Sequence, residues 1–323
     1  MGQHVIVGAG TVGSALAARL AEGGRDVIVV SRRGTAPPAE GVRGVAADAS
    51  DAAALAVIAA GADAIYNCAN PRYHRWERDW PPIAASILGA AERSGAVLAT
   101  LSNLYGYGPV DGAMTESLPL AATSSKGQVR ATMWPDALAA HEAGRVRATE
   151  VRASDYFGPG VRDTGMLGER VVPRVLDHRT ISVLGNPDAP RSWTFVPDVV
   201  SALEVVASHP AAWGRPWHVP TAAPMSTRGA VCRLADVAGL DAPAVRRLPW
   251  SLVRIAGLFS PEIHELPEIA YQFDRPFVVD SSAFTAAFGV EATPLDQSLG
   301  ETIEWWRRQR GFPLPLLATS AVG

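Results

Sequence analysis

Three observations predict an α/β fold, a doubly wound parallel Rossmann sheet with a smaller C-terminal α/β substrate lobe. Short β runs alternate with helical stretches through the first half of the chain. Those runs are apolar throughout, as strands are when helices cover both faces of a parallel sheet. The first of them opens into a helix through the glycine-rich turn Gly8-Ala9-Gly10-Thr11-Val12-Gly13. Strand, helix and strand in repetition imply right-handed crossovers, and hence a dinucleotide-binding arrangement over residues 1–158.

Taken in order, His4–Val7 reads as a strand, Thr11–Glu22 as the helix leaving the turn, and Asp26–Val30 as the second strand. A third strand falls at Val42–Ala46, before an alanine-rich helix at Ala52–Ala60. Ala64–Cys68 is the fourth strand, Pro82–Ser94 a helix and Ala96–Leu101 the fifth strand. A long helix is expected over Val129–Ala143 and a sixth strand at Thr149–Arg152. Beyond residue 158 prolines become frequent and the alternation stops. That texture points to a substrate lobe over 159–310, interleaved with the main sheet because Trp217–Val219 and Phe277–Asp280 both read as strands. Residues 311–323 show no periodicity and are expected to form a loose tail.

At 323 residues, 48% hydrophobic and 19% charged, the chain suits a soluble protein with a substantial core. Its net charge of −3 gives no electrostatic reason for nucleic acid or an anionic membrane as partner. No apolar run is long enough to span a bilayer. Cys68 and Cys232 match no metal or disulfide spacing, and no leader is visible before the first strand, so a cytoplasmic location is expected. Of 29 lysines and arginines only Lys126 is lysine, against an arginine-rich background.

In the turn, Gly8 permits a tight bend, Gly10 lets the backbone approach a pyrophosphate, and Gly13 lets the helix pack close to the strand. The first helical amides, at Thr11, Val12 and Gly13, then face the phosphates with the positive end of the helix dipole. At the end of the second strand Ser31-Arg32-Arg33-Gly34 carries no carboxylate for a ribose hydroxyl. Two guanidiniums there suit a 2′-phosphate, so NADP(H) is the expected cofactor and NAD(H) the less favoured one. Asp48, just past the third strand, either accepts from the adenine amino group or caps the turn into the next helix.

These residues resemble the short-chain dehydrogenase/reductase superfamily in its extended or atypical branch, the NAD-dependent epimerase/dehydratase-like proteins. The resemblance rests on Gly8–Gly13, Asp48, Asn67-Cys68-Ala69-Asn70, Leu101–Pro109, Thr115–Pro119, Arg152–Gly160, Trp193–Val199 and Phe288–Leu295. It implies a Rossmann domain with a small substrate domain, a dinucleotide touching Ala69, and a dimer formed through two helices. Ordinary members carry Tyr-x-x-x-Lys, whose tyrosine exchanges the proton and whose lysine lowers its pKa and holds the ribose. Counting back from Lys126 puts the tyrosine position at Ala122; anchoring on Glu116 puts it at Gly127 and the lysine at Ala131. Under either count the tyrosine is missing.

Ser102, Tyr105 and Lys126 are the candidates to replace it, since proton transfer needs a group within hydrogen-bond reach of the reacting oxygen. Each has an ordinary alternative: Ser102 a turn, Tyr105 packing, Lys126 a ribose or phosphate contact. Arg130 lies one helical turn on, and the aromatic, charged loop Asn70–Trp80 either walls the pocket or anchors the helix starting at Pro82. Tyr156 and Phe157 are expected to floor the nicotinamide site. The function expected is that of an NADP-dependent oxidoreductase on a small organic carbonyl or alcohol. An epimerase or dehydratase acting on a nucleotide-linked substrate and a non-catalytic dinucleotide sensor are the alternatives.

Overall fold

The computed structural model describes residues 2–163 and 165–311; most of the tail expected over 311–323 lies outside them. A seven-stranded parallel sheet forms the centre. Its strands are β1 (Gln3–Val7), β2 (Asp26–Ser31), β3 (Val42–Ala46), β4 (Ala62–Asn67), β5 (Val97–Asn103), β6 (Arg147–Ala153) and β7 (Pro216–His218). They lie in the order β3-β2-β1-β4-β5-β6-β7, so the order reverses between β1 and β4. Ligands of open α/β sheets bind at the carboxyl ends of the strands beside such a reversal. Trp217–His218 joins the sheet as expected, whereas Val278–Val279 pairs with Ala113–Met114 in a separate two-stranded ribbon.

Side chains alternate across a strand, so each strand sorts its residues between two helical layers. Ile6, Val27, Val29, Tyr66, Ala99 and Val151 pack with helix α1 (Thr11–Glu22). Val5, Val7, Ile28, Val30, Ile65 and Leu98 pack on the other side with α2 (Ala52–Ile58), α3 (Trp76–Ser94) and α4 (Ser125–Glu142). Helix α5 (Val196–Ser208) covers the α1 side, burying Val199, Leu203 and Val206. In the C-terminal part α6 (Thr227–Ala238) and the helix Leu295–Gln309 enclose a further core with Phe157, Trp193 and Phe195. Among the described residues no helix is long and apolar enough to cross a membrane.

Two helices begin earlier than their sequence pattern suggests. Helix α3 starts at Trp76, although Pro81 and Pro82 remove amide donors early in it. Full burial of Trp76 and Trp80, at 3% and 0% exposure, offsets that loss. Helix α4 starts at Ser125 because the Ser124 hydroxyl caps it, accepting from the Gly127 amide at 3.2 Å. Strand β6 is longer than expected, from Arg147 to Ala153, its polar residues satisfied in the interior.

That interior polarity is concentrated on the α3/α4 side of β4 to β7. Asn67, Thr100 and Glu150 are register partners across three strands, and Ser102, Arg152 and His218 form the next row. Arg152 donates to Glu150 Oε1 at 2.6 Å and to the Tyr107 hydroxyl at 2.6 Å. The Tyr107 hydroxyl lies 2.7 Å from His218 Nε2, and His218 Nδ1 lies 2.8 Å from the carbonyl of Asp280. A carbonyl only accepts, so Nδ1 carries the imidazole proton and Tyr107 donates to Nε2. Neutral His218 therefore satisfies every partner, and burial holds its pKa below 6.5.

A group whose folded-state pKa is lowered takes up its proton more readily when unfolded, so its stabilising effect is lost as pH falls below about 6.5. Acid-dependent loss of stability between pH 6.5 and 5.5 should be steeper in the wild type than in His218→Gln, by at most about 1.4 kcal/mol per pH unit. Denaturant titration at both pH values checks this; parallel losses would remove His218 from the account. Tyr107→Phe should cost about 2 kcal/mol or more, because it strands two buried polar groups.

Candidate functional site

The glycine turn between β1 and α1 has the geometry of a phosphate cradle. Gly8 is at φ +116, and a Cβ there would lie 2.4 Å from the Cys68 carbonyl oxygen at the end of β4. A Cβ on Gly13 would lie 2.0 Å from the Gly8 oxygen, so both positions exclude side chains by contact with protein. Gly10 is different: its Cβ would meet nothing within 4 Å. The opening over Gly10 leads to the amides of Thr11, Val12 and Gly13, and no side chain caps this helix start. The Thr11 hydroxyl does not turn to the opening; it donates to the Gly160 carbonyl at 3.1 Å and ties the turn to the loop after β6.

Arg32 and Arg33 are exposed in the turn after β2, and neither forms an ion pair among the described residues. Asp48 is also exposed, and its Oδ1 accepts from Ser50 N at 2.9 Å and Ser50 Oγ at 2.7 Å. These bonds, with Arg32 a weaker contributor, hold its carboxyl below the ordinary range. The cap of α2 itself is Asp51, which accepts from Ala53 N and Ala54 N. Ala69 follows β4 beside the Gly8 turn, its amide bonded to Asn67 Oδ1 at 3.3 Å.

At the carboxyl ends of β4, β5 and β6 the loops bring aromatic rings together. Tyr73 and Trp76 pack edge-on at 5.1 Å, and each contacts Tyr105, at 6.5 and 5.9 Å. The Tyr73–Trp80 segment therefore starts α3 and packs its rings against Tyr105. Burial pushes the phenols of Tyr73, Tyr105 and Tyr156 above their ordinary range. Among the described residues the buried Tyr73 hydroxyl has no hydrogen-bond partner within 3.5 Å. Phe157 corrects the expectation of a shared floor with Tyr156: it turns into the C-terminal core against Phe195, at 5.3 Å, because the neighbouring residues of an extended strand face opposite ways.

Helix α4 supplies two buried cations to this cluster, Lys126 and Arg130, at 2% and 7% exposure. Residues four apart share one helix face, so both point toward the aromatic loops. Lys126 Nζ lies 5.4 Å from the Tyr73 ring centre. The Arg130 guanidinium lies 4.7 Å from the Trp76 ring and 4.3 Å from the Trp80 ring. Burial lowers the Arg130 pKa to about 10, and among the described residues its Nε has no hydrogen-bond partner. The two positions suggested for the absent tyrosine lie in or just before the first turn of α4. Ala122 precedes the helix, its amide bonded to the Gly106 carbonyl, and a Cβ on Gly127 would lie 2.8 Å from the Tyr105 oxygen.

The C-terminal part closes over Lys126 with residues that sequence reasoning missed. Lys126 Nζ pairs with Glu265 Oε2 at 2.5 Å and lies 3.7 Å from Glu268 Oε2, while Glu268 Oε1 accepts from the Lys126 amide at 2.8 Å. Glu265 links the short turns Pro261–His264 and Leu266–Ile269 and Glu268 lies within the second, where no motif or periodicity marks them. Ser102 is buried on the α4-facing side of β5, one register step beyond Thr100 and opposite Arg152. Tyr105 and Lys126 thus share one aromatic cluster, and Ser102 belongs to the polar rows beneath it. Among the described residues no cluster of His, Cys, Asp or Glu is arranged to hold a metal ion.

Comparison with solved structures agrees with this architecture. The chain superposes on MoeE5, solved with UDP-glucose and NAD, with a TM-score of 0.78 at 23% identity, covering 96% of this chain and 100% of that one. For DesIV, the dTDP-glucose 4,6-dehydratase of Streptomyces venezuelae solved with NAD, the TM-score is 0.77 at 22% identity, covering 96% and 98%. For the UDP-glucuronic acid 4-epimerase of Bacillus cereus, also solved with NAD, it is 0.75 at 14% identity, covering 95% and 99%. At these identities the likeness is one of fold. No curated protein matches the sequence. The family model for NAD dependent epimerases and dehydratases matches residues 4–219, from the first strand through the last strand of the main sheet, and the chain belongs to that family.

Proposed function

We propose that the protein is a pyridine-nucleotide-dependent enzyme that interconverts a hydroxyl and a carbonyl on a nucleotide-linked sugar, with Lys126 as its acid–base group. One observation carries this reading: a buried Lys126 projects from α4 into the aromatic cluster, with Arg130 one turn on, at the same i, i+4 spacing as the family's Tyr-x-x-x-Lys. The substrate class follows the relatives, which were solved with UDP-glucose or dehydrate dTDP-glucose.

The open face over Gly10 and the uncapped α1 start fit a dinucleotide pyrophosphate, held by the amides of Thr11, Val12 and Gly13. When bound, the nicotinamide supplies hydride acceptance and return. What remains for this chain is to place a hydroxyl and move its proton. Lys126 is placed for that: its Nζ carries hydrogen-bond donors into the cluster beside the Tyr73 ring. Glu265 holds the ammonium in place, and the tyrosines and Trp76 exclude water around it. Tyr105 orients the substrate oxygen and Ser102 supports the strand end below.

A second reading concerns the cofactor and substrate. The exposed, unpaired Arg32 and Arg33 favour NADP(H) and, with it, a reductase of small carbonyls. The relatives, solved with NAD, favour NAD(H).

Calorimetric titration with NAD(H) and NADP(H) separates these. Gly10→Val should weaken either dinucleotide at least tenfold while leaving the melting temperature within a few degrees, since its side chain enters open space. Gly13→Ala should instead destabilise the fold. If Arg32 and Arg33 hold a 2′-phosphate, replacing both with alanine should weaken NADP(H) alone; unchanged affinity would assign the protein to NAD(H).

Incubation of the dinucleotide-loaded protein with UDP-glucose, dTDP-glucose and a panel of aldehydes and ketones, followed by mass spectrometry, tests the reaction. Lys126→Met should lower turnover of the accepted substrate at least about 100-fold with dinucleotide affinity retained. Full turnover in that variant would remove Lys126 from the chemistry, and binding without turnover of any compound would favour a sensor.

A further inference from the structure

Single apolar side chains on a protein surface are ordinary, but here they gather in one place. Among the described residues the exposed large apolar side chains are Val57, Leu252, Ile255, Leu258 and Phe259, and all but Val57 fall in one short segment. That segment is helix α7 (Trp250–Gly257) with the turn that follows it. Leu252 and Ile255, three apart, share its outward side, and the turn adds Leu258 and Phe259. The last two are 76% and 86% exposed, the mark of side chains that protrude instead of lining a groove. Helix α7 is already anchored on its other side, where Val253 and Gly257 are buried and a Cβ on Gly257 would lie 3.0 Å from His264 Cα. The Trp250 indole donates to Asp274 Oδ2 at 2.8 Å, and its ring packs on Phe273 at 6.0 Å. The outward residues contribute little to folding, because their surface stays in water.

The charges around this patch are of one sign once internal pairs are set aside. Glu265 and Glu268 face Lys126, Asp274 pairs with Arg247, and Glu262 Oε1 lies 3.1 Å from His74 Nδ1. Arg246 and Arg254 are exposed and, among the described residues, form no ion pair. Arg254 stands on α7 between Leu252 and Leu258, so its stem can lie along the apolar side chains while its head reaches outward. The net charge of −3 does not oppose this, because exposed charges beyond about 8 Å are largely screened at physiological ionic strength.

We propose that α7 and the turn after it form a docking surface for an anionic lipid bilayer. Leu258 and Phe259 enter the boundary between headgroups and acyl chains, and Arg246 and Arg254 meet the lipid phosphates. Protruding apolar side chains flanked by cations suit a contact that lies on a membrane without crossing it. So few residues give a reversible contact and not an anchor. A protein partner fits less well: four partly exposed side chains fall short of the ~800 Å² that a stable interface takes from each side, and they offer no pocket. The chain runs from α7 directly to Glu265 and its pair with Lys126, so docking sets the aromatic cluster beside the membrane. The surface does not depend on the reaction assigned above.

Co-sedimentation of the full chain with vesicles tests this, using phosphatidylcholine alone or mixed with an equal part of phosphatidylglycerol. The mixed vesicles should bind at least about tenfold more tightly than the neutral ones, and high salt should remove that preference. Leu258→Ser and Phe259→Ser should each weaken binding about tenfold or more, the loss expected when one large apolar side chain is absent from the bilayer. Arg254→Ala should weaken binding to the mixed vesicles about fivefold and leave the neutral ones unchanged. Val57→Ser, at the isolated exposed position on α2, is the control and should change nothing. All these side chains are exposed, so melting temperatures should stay within a few degrees of the wild type. No binding to mixed vesicles up to about 2 mM lipid would overturn the proposal. Binding that survives Leu258→Ser and Phe259→Ser together would overturn it too, by moving the contact elsewhere. Self-association without lipid that Phe259→Ser abolishes would make the patch a face between copies of this chain instead, and overturn the lipid assignment.

Discussion

The close approach of the first strand–helix turn to the end of β4 is the constraint on which the rest of the molecule depends. With the Cys68 carbonyl beneath Gly8 and the Gly8 carbonyl beneath Gly13, no side chain can separate α1 from the sheet. That contact fixes the helix axis, aims its first amides over the strand ends, and leaves the space above Gly10 clear. The loops after β4, β5 and β6 must then gather on the same edge, which is where Tyr73, Tyr105 and Tyr156 meet. Thr11 adds a further tie, since its hydroxyl joins the turn to Gly160 and so to the start of the C-terminal part.

Against this rigid edge the proposed chemistry is assigned to α4 and to what closes over it. A phenol next to an ammonium, the family's usual arrangement, becomes here an ammonium next to carboxylates. Lys126 faces Glu265 and Glu268, contributed from about 140 residues further along the chain. Removing either glutamate would leave a buried cation less compensated, so the C-terminal part and the site are energetically one unit. Among the described residues Arg130 has no carboxylate partner at hydrogen-bond distance and rests instead on the faces of Trp76 and Trp80, in the first turns of α3.

The sheet and the phosphate turn were legible in the sequence because local rules determine them. Apolar runs of strand length and glycines at fixed spacing each act within a few residues. Helix starts were less legible: Trp76 begins α3 ahead of two prolines because tertiary burial of its ring outweighs the lost amide donors, a gain no local pattern displays. The polar side chains of β5 and β6 read simply as strand residues, since only strand register reveals that Asn67, Thr100 and Glu150 stand side by side. Counting along the chain offers Ala122 or Gly127 for the absent tyrosine, and the fold adds that Lys126 and Arg130 are the buried cations of α4. Glu265 and Glu268 left no trace in the sequence at all, because their meaning comes from a contact across the fold.

A crystal structure with dinucleotide bound would test the central claim most directly. The account predicts pyrophosphate oxygens within hydrogen-bond distance of the first amides of α1, and Lys126 Nζ within reach of a group at nicotinamide C4. Phosphates bound elsewhere, or Lys126 facing away from the nicotinamide, would contradict it.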